Sequence, residues 1–176
     1  MAQPTNDVWE VLSTARSIRR FTDEPVDDET LERCLQAATW APNGANAQLW
    51  RFIVLDAPEQ RAAVATAART ALETIESIYG MTRPAADDHG RAARNNRATY
   101  ELHDRAGDFT SVLFTAFRNE FASEFLQAGS IYPPAMQNFH LAARAQGWGA
   151  CFTSWASYSG EKVLRDAVGI PDEWFL

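Results

Sequence analysis

Short apolar runs of strand type alternate along this chain with longer stretches whose apolar residues recur at helical spacing, and that alternation limits the fold. Asn6 or Asp7 is placed to cap a first helix covering Val8, Leu12 and Ala15. Pro25 to Glu29 reads as a helix entry, after which Leu31, Cys34, Leu35 and Ala38 form an apolar stripe that Pro42 stops. Arg51 to Leu55 is a β-type run, turned by Asp56-Ala57-Pro58 into an Ala-rich helix from Glu59 to about Ile78. Phe109 to Phe117 reads as a strand, and Pro133 and Pro134 open a helix from Ala135 to Gln146, stopped by Gly147. Ala150 to Trp155 reads as a strand running into a loop, Gly160 to Val168 as a helix, and Trp174-Phe175-Leu176 as the start of another strand. Strands with so few charges need cover on both faces, and the helices are numerous enough to give it. The expectation is a single domain over residues 1–176 of α+β class, an α/β sandwich.

The residues between Gly80 and Gly107 break this pattern. They are polar, rich in Arg, Asp and Asn, and broken by Gly80, Pro84 and Gly90, which predicts a mobile loop or a short helix over a site. Arg91, Arg94 and Arg97 would share one helical face there. Beside Asp87, Asp88, Glu101 and Asp104 they read as a solvated face, with an acidic substrate or the phosphates of NADPH as the alternative.

Several function classes are disfavoured. A net charge of −7 argues against a nucleic-acid-binding surface. His89, His103 and His140 are scattered, with His89 and His103 read as solvated and His140 as a surface or core residue, so no metal site is expected. Walker loops, nucleophile elbows and Gly-x-Gly-x-x-Gly fingerprints are absent from the sequence. No run approaches a membrane span, and the N-terminus lacks the basic and apolar regions of a signal peptide. Cys34 and Cys151 read as two buried thiols, and the expected location is the cytoplasm.

Two stretches carry chemistry. Ala15-Arg16-Ser17-Ile18-Arg19-Arg20-Phe21 gathers guanidinium groups and a hydroxyl in one turn, a donor set that suits a phosphate. A basic helix end alone would explain such a cluster equally well. About twenty residues on, Ala41-Pro42-Asn43-Gly44-Ala45-Asn46-Ala47-Gln48-Leu49-Trp50 ends a helix and exposes Asn side chains and backbone amides beside a Trp, which suits a flat heterocycle with polar edges.

Together these stretches resemble the two N-terminal signatures of the nitroreductase family. The later run from Gln137 to Gly149 resembles the helix and Gly-x-Gly turn that precede a flavin-contacting loop in that family. The resemblance covers about Ser13 to Asp56 and about Gly129 to Leu176, roughly half the chain. It implies a nitroreductase-like fold, a central mixed sheet of four or five strands flanked by helices, in an intertwined homodimer with FMN at the interface. Arg16, Ser17 and Arg19 then look like ligands of the FMN phosphate and ribityl chain. Pro42, Asn43, Gly44 and Asn46 look like the loop that reaches the isoalloxazine, supplied in this family by the partner subunit. Thr153, Ser154 and Trp155 look like the loop at the flavin ring edge. No catalytic side chain is implied.

The sequence departs from the family pattern at Ala15, where Arg is common; at Asn43, where Ser is common; and at Leu49, where Pro is common. It also stops where members continue with a strand and a tail bearing a basic phosphate ligand, so the expectation is that this usual C-terminal strand and tail are missing. The implied activity is FMN-dependent transfer of electrons from NADH or NADPH to a small organic acceptor such as a nitroaromatic, quinone or enone, by a ping-pong mechanism. Residues 80–107 are the variable, substrate-side segment. A non-catalytic flavin-binding or sensing protein is the alternative.

Overall fold

The computed structural model describes residues 2–117 and 133–176. The expected resemblance from Gly129 therefore lies in part outside the described residues. Helix α1, Val8–Thr14, is capped by Asp7, whose carboxylate accepts from the Glu10 amide at 2.9 Å. Helix α2, Asp28–Thr39, is capped in the same way by Asp27 and buries Cys34 and Ala38 of the anticipated stripe. Strand β1 is Trp50–Leu55 and α3 is Pro58–Tyr79. Pro sits at the first turn of α3, and the Gln60 side chain accepts from the amides of Asp56 and Ala57.

The polar segment folds further than expected. Arg91–Asp104 is a helix of 14 residues, α4. Strand β2 is Ser111–Phe117, α5 is Pro133–Ala145, α6 is Glu161–Val168 and β3 is Trp174–Phe175.

Among the described residues the strands form one antiparallel sheet in the order β1-β2-β3, with Phe52 opposite Phe114 and Ile53 opposite Leu113. Side chains alternate across a strand, so this register gives the sheet two different faces. On one, Phe52, Val112 and Phe114 meet Ala38 and Ala41 of the α2 end and Ala135, Met136 and Phe139 of α5. On the other, Ile53, Leu55 and Leu113 meet Val64, Ala67 and Ala68 of α3 and Leu164 of α6. The small residues along α3 let α6 and the turn before it approach closely. Strand β3 is anchored from two sides: the buried Thr115 hydroxyl donates to the Phe175 carbonyl, and Arg165 donates to the carbonyls of Trp174 and Pro171. The helix–sheet–helix sandwich is the expected fold, but among the described residues its sheet is antiparallel and three-stranded rather than mixed with four or five strands.

One expected strand does not form. Residues 150–155 contribute only a single parallel bridge, Ala150 to Ser17. The Ala150 carbonyl accepts from the Ile18 amide at 3.0 Å, and the chain then enters the turn at Ala156–Gly160. Instead of extending a ladder, Phe152 packs on His140 of α5, and Trp155 on His103 of α4 and the core beneath α3.

Candidate functional site

The bridge between Ser17 and Ala150 brings two of the three sequence-identified segments together. The segment after α1 is held from below by His140 of α5, whose Nε2–H donates to the Arg16 carbonyl at 3.0 Å. His140 is buried and its ring packs edge-on against Phe152, 5.0 Å between centroids. A Cβ at Gly149 would lie 3.1 Å from the Ile18 side chain, so this position needs the smallest residue for the two segments to approach. Farther along, Arg20 pairs with Glu101 of α4 at 2.7 Å, and Arg105 donates to the Phe21 carbonyl at 3.2 Å. The segment is thus pinned at both ends, between α5 and α4.

Exposed side chains lie between those pins. Arg16, Ser17 and Arg19 are exposed. Among the described residues, Arg20, Arg33, Arg61, Arg83, Arg105, Arg144 and Arg165 each have a carboxylate partner. Arg16 and Arg19 have none among the described residues, and neither do Arg51, Arg69, Arg91, Arg94 and Arg97; the Arg16 guanidinium donates to the adjacent Ala15 carbonyl at 2.6 Å. Two exposed guanidinium groups on either side of an exposed hydroxyl in one short segment present an anion-binding set.

The loop opposite carries Cys151, Thr153, Ser154 and Trp155. Thr153 and Ser154 are exposed and Trp155 is partly buried. Burial pushes the Cys151 thiol up from its ordinary value, against the opposing pull of Arg19 and the Ser17 side chain. The Ser17–Ala150 bridge places the first segment beside this loop.

The third segment stands apart. Pro42, Gly44 and Asn46 are exposed and Asn43 is partly buried. The Asn43 side chain accepts from the Gln48 amide at 2.9 Å, and the Asn46 side chain accepts from the Gln48 side chain at 3.1 Å. Ala45, Asn46 and Gln48 all have positive φ, near +50°. Non-glycine residues adopt that conformation at a cost, and runs of it concentrate at ligand clamps. Trp50, just beyond, stacks on Phe52 at 4.9 Å and has a buried indole N–H with no partner among the described residues. No hydrogen bond or ring contact among the described residues joins this loop to the first two segments within the protomer.

Sequence reasoning missed one member of the site. His103, read as solvated, is buried on α4 and receives the Trp155 indole N–H at 3.0 Å. Ala93, Tyr100 and His103 recur at helical spacing and form the buried side of α4, a stripe hidden in the sequence by the surrounding charges. The arginine face of this helix differs too. Arg94 donates to the His89 carbonyl, and Arg97 to the carbonyls of Ala85 and Asp88, so both close the preceding turn rather than facing solvent unbonded.

Comparisons with known proteins bear on the family and the fold. The nitroreductase family model matches residues 12–176, including the middle segment that the sequence motifs left blank. YdgI of Bacillus subtilis, named as an NAD(P)H nitroreductase, is 40% identical over 81 residues, 44% of this chain and 39% of that one. Iodotyrosine deiodinase 1 of Rattus norvegicus is 34% identical over 83 residues, 47% of this chain and 28% of the deiodinase. The alignments thus span well under half of these two relatives. A protein of Desulfovibrio desulfuricans named as a nitroreductase, crystallised in complex with FMN, superposes with a TM-score of 0.63 at 25% identity, covering 94% of this chain and 78% of that one.

Proposed function

This chain belongs to the nitroreductase family, and on that premise we propose that it is an FMN-dependent oxidoreductase that moves electrons from NADH or NADPH to a small organic acceptor. The observation that carries this reading is the exposed trio Arg16, Ser17 and Arg19, held against the 150–155 loop by the Ser17–Ala150 bridge. The donor set fits FMN. Two exposed guanidinium groups and a hydroxyl match a phosphate monoester and a polyol, and Thr153, Ser154 and the Trp155 ring offer hydrogen bonds and a flat apolar surface beside them.

Arg16 and Arg19 hold the phosphate dianion, Ser17 donates to it or to the ribityl chain, and Thr153, Ser154 and Trp155 border the ring edge. When bound, FMN supplies the two-electron redox chemistry through which NAD(P)H and an acceptor react in turn at one pocket. The acceptor is of the nitroaromatic, quinone or enone kind, with α4 and the turn before it on the substrate side.

The loop of Pro42, Asn43, Gly44 and Asn46 serves the flavin ring of a partner subunit in a homodimer. Three features support this role: its positive-φ backbone, its separation from the first two segments, and the neighbouring Trp40, which is 73% exposed. A large apolar ring at a strained exposed loop suits an interface.

Comparison of FMN with riboflavin tests the assignment. The two share a ring and a ribityl chain and differ in the phosphate. Quenching of flavin fluorescence should give tight binding of FMN and much weaker binding of riboflavin; equal affinities would remove Arg16 and Arg19 from the site.

A further inference from the structure

His103 lies outside every motif that points to the flavin, yet its surroundings are fully specified. Its Nδ1 lies 2.8 Å from the Thr99 carbonyl oxygen, which can only accept. Its Nε2 lies 3.0 Å from the Trp155 indole nitrogen, which can only donate. These two partners leave one arrangement: a neutral ring with the proton on Nδ1 and the Nε2 lone pair engaged by Trp155. The rings also meet edge to face, with centroids 5.5 Å apart. A second proton would set an N–H of the imidazolium against the indole N–H.

We propose that His103 is a positioning residue for the 150–155 loop: its neutral ring grips Trp155 from α4, so that one buried imidazole sets the shape of the loop assigned to the flavin edge. The part concerning FMN rests on the functional reading above. The charged groups bearing on the ring are Arg19, from the phosphate segment, and Asp104, from α4 itself; they act in opposite directions. Burial, the largest influence, favours the neutral form, and Arg19 adds to it. Protonation of His103 therefore breaks its hydrogen bond to Trp155, whose ring also packs on the core of Leu55, Val64, Ala67 and Leu164, and loosens the loop at that one point.

The test uses histidine-selective 15N NMR of the whole chain, which has three histidines. At pH 8 the His103 ring should show the Nδ1–H tautomer. Its titration midpoint should lie below the ordinary histidine value, and the Trp155 indole N–H signal should move with the same midpoint. In a parallel titration, FMN affinity of the wild type should weaken about five-fold more through that midpoint than affinity of His103→Gln, the equivalent of one lost hydrogen bond. The Gln amide oxygen still accepts from Trp155 but does not titrate. Both proteins share the titration of the FMN phosphate, so the difference between them isolates His103.

An Nε2–H tautomer, a midpoint at or above the ordinary histidine value, an indole signal indifferent to pH, or identical FMN profiles for the two proteins would each overturn the proposal. Should His103→Gln fail to fold, Trp155→Phe removes the donor instead, and the His103 midpoint must then change. Loss of FMN binding at every pH would sink the flavin reading, whereas the tautomer and indole signals of the unliganded protein judge the grip on Trp155 separately.

Discussion

Arg19→Ala and Arg144→Ala remove the same charge from the same protein, and the structure assigns them opposite consequences. Arg144 is a structural arginine. Its side chain is 11% exposed and donates to Glu10 at 3.0 Å, Thr14 at 2.8 Å and the Gln3 carbonyl at 3.2 Å, tying α1 and the N-terminal strand of chain to α5. Breaking a buried pair costs about 3–5 kcal/mol. Here the abandoned Glu10 side chain is 48% exposed and regains water, so the expected loss is smaller, about 2–3 kcal/mol. For a chain of this length that lowers the melting temperature by roughly 4–12 °C. Arg19 is exposed and makes no hydrogen bond or ion pair among the described residues, so its removal should change stability by no more than about 0.5 kcal/mol. Its loss is expected in ligand binding: one charged contact to phosphate, about 1.5–3 kcal/mol, or ten- to hundred-fold in the FMN dissociation constant. Thermal unfolding without FMN, paired with fluorescence titration with FMN, reads both. The reasoning fails if Arg19→Ala melts as early as Arg144→Ala, or if it binds FMN like the wild type.

Three further outcomes follow from named contacts. A Cβ at Gly160 would lie 2.6 Å from the Trp155 carbonyl oxygen and 2.9 Å from the Ala67 Cβ, so Gly160→Ala should cost about 1–3 kcal/mol in urea unfolding, whereas Gly44→Ala, with no atom within 4 Å of the added Cβ, should be nearly neutral. The Thr30 amide, then its hydroxyl, holds the Asp27 carboxyl below the ordinary carboxylate value; a depressed folded value gives stability that is present above about pH 4 and lost as pH falls through the folded value. Thermal unfolding of Asp27→Asn should accordingly show a shallower acid limb than the wild type, with similar stability at neutral pH. Burial pushes the Cys34 thiol up to about 11, so Cys34 should resist a disulfide reagent at pH 8 in the native protein and react once denatured; rapid native labelling of Cys34 would contradict its burial.

The elements that the sequence declares are those whose signals are local. Asp7 and Asp27 cap where short polar side chains precede an apolar stripe, and β1 and β2 alternate as their own residues dictate. The run 150–155 shows the limit of that logic. Cys151, Phe152 and Trp155 are strand formers, but a strand needs a partner, and the available one is the Arg16–Ile18 backbone over a single bridge. His103 shows the converse. Its neighbours in sequence are charged, so the segment reads as solvated, while its neighbours in space are α3 and Trp155, which only the tertiary fold supplies. For the proposed site, the residue types of Arg16, Ser17 and Arg19 suit a phosphate or a plain basic helix end alike, and only the resemblance to the family chooses between them. The grip on Trp155 was not legible, because it joins residues 52 positions apart.

The visible absorbance spectrum of the protein with FMN, recorded without oxygen before and after NADH or NADPH, tests the central claim most directly. Flavin bands that travel with the protein and bleach on reduction are the expected result. A protein that binds no flavin, or holds flavin that neither nicotinamide bleaches, would contradict the assignment as a flavin oxidoreductase.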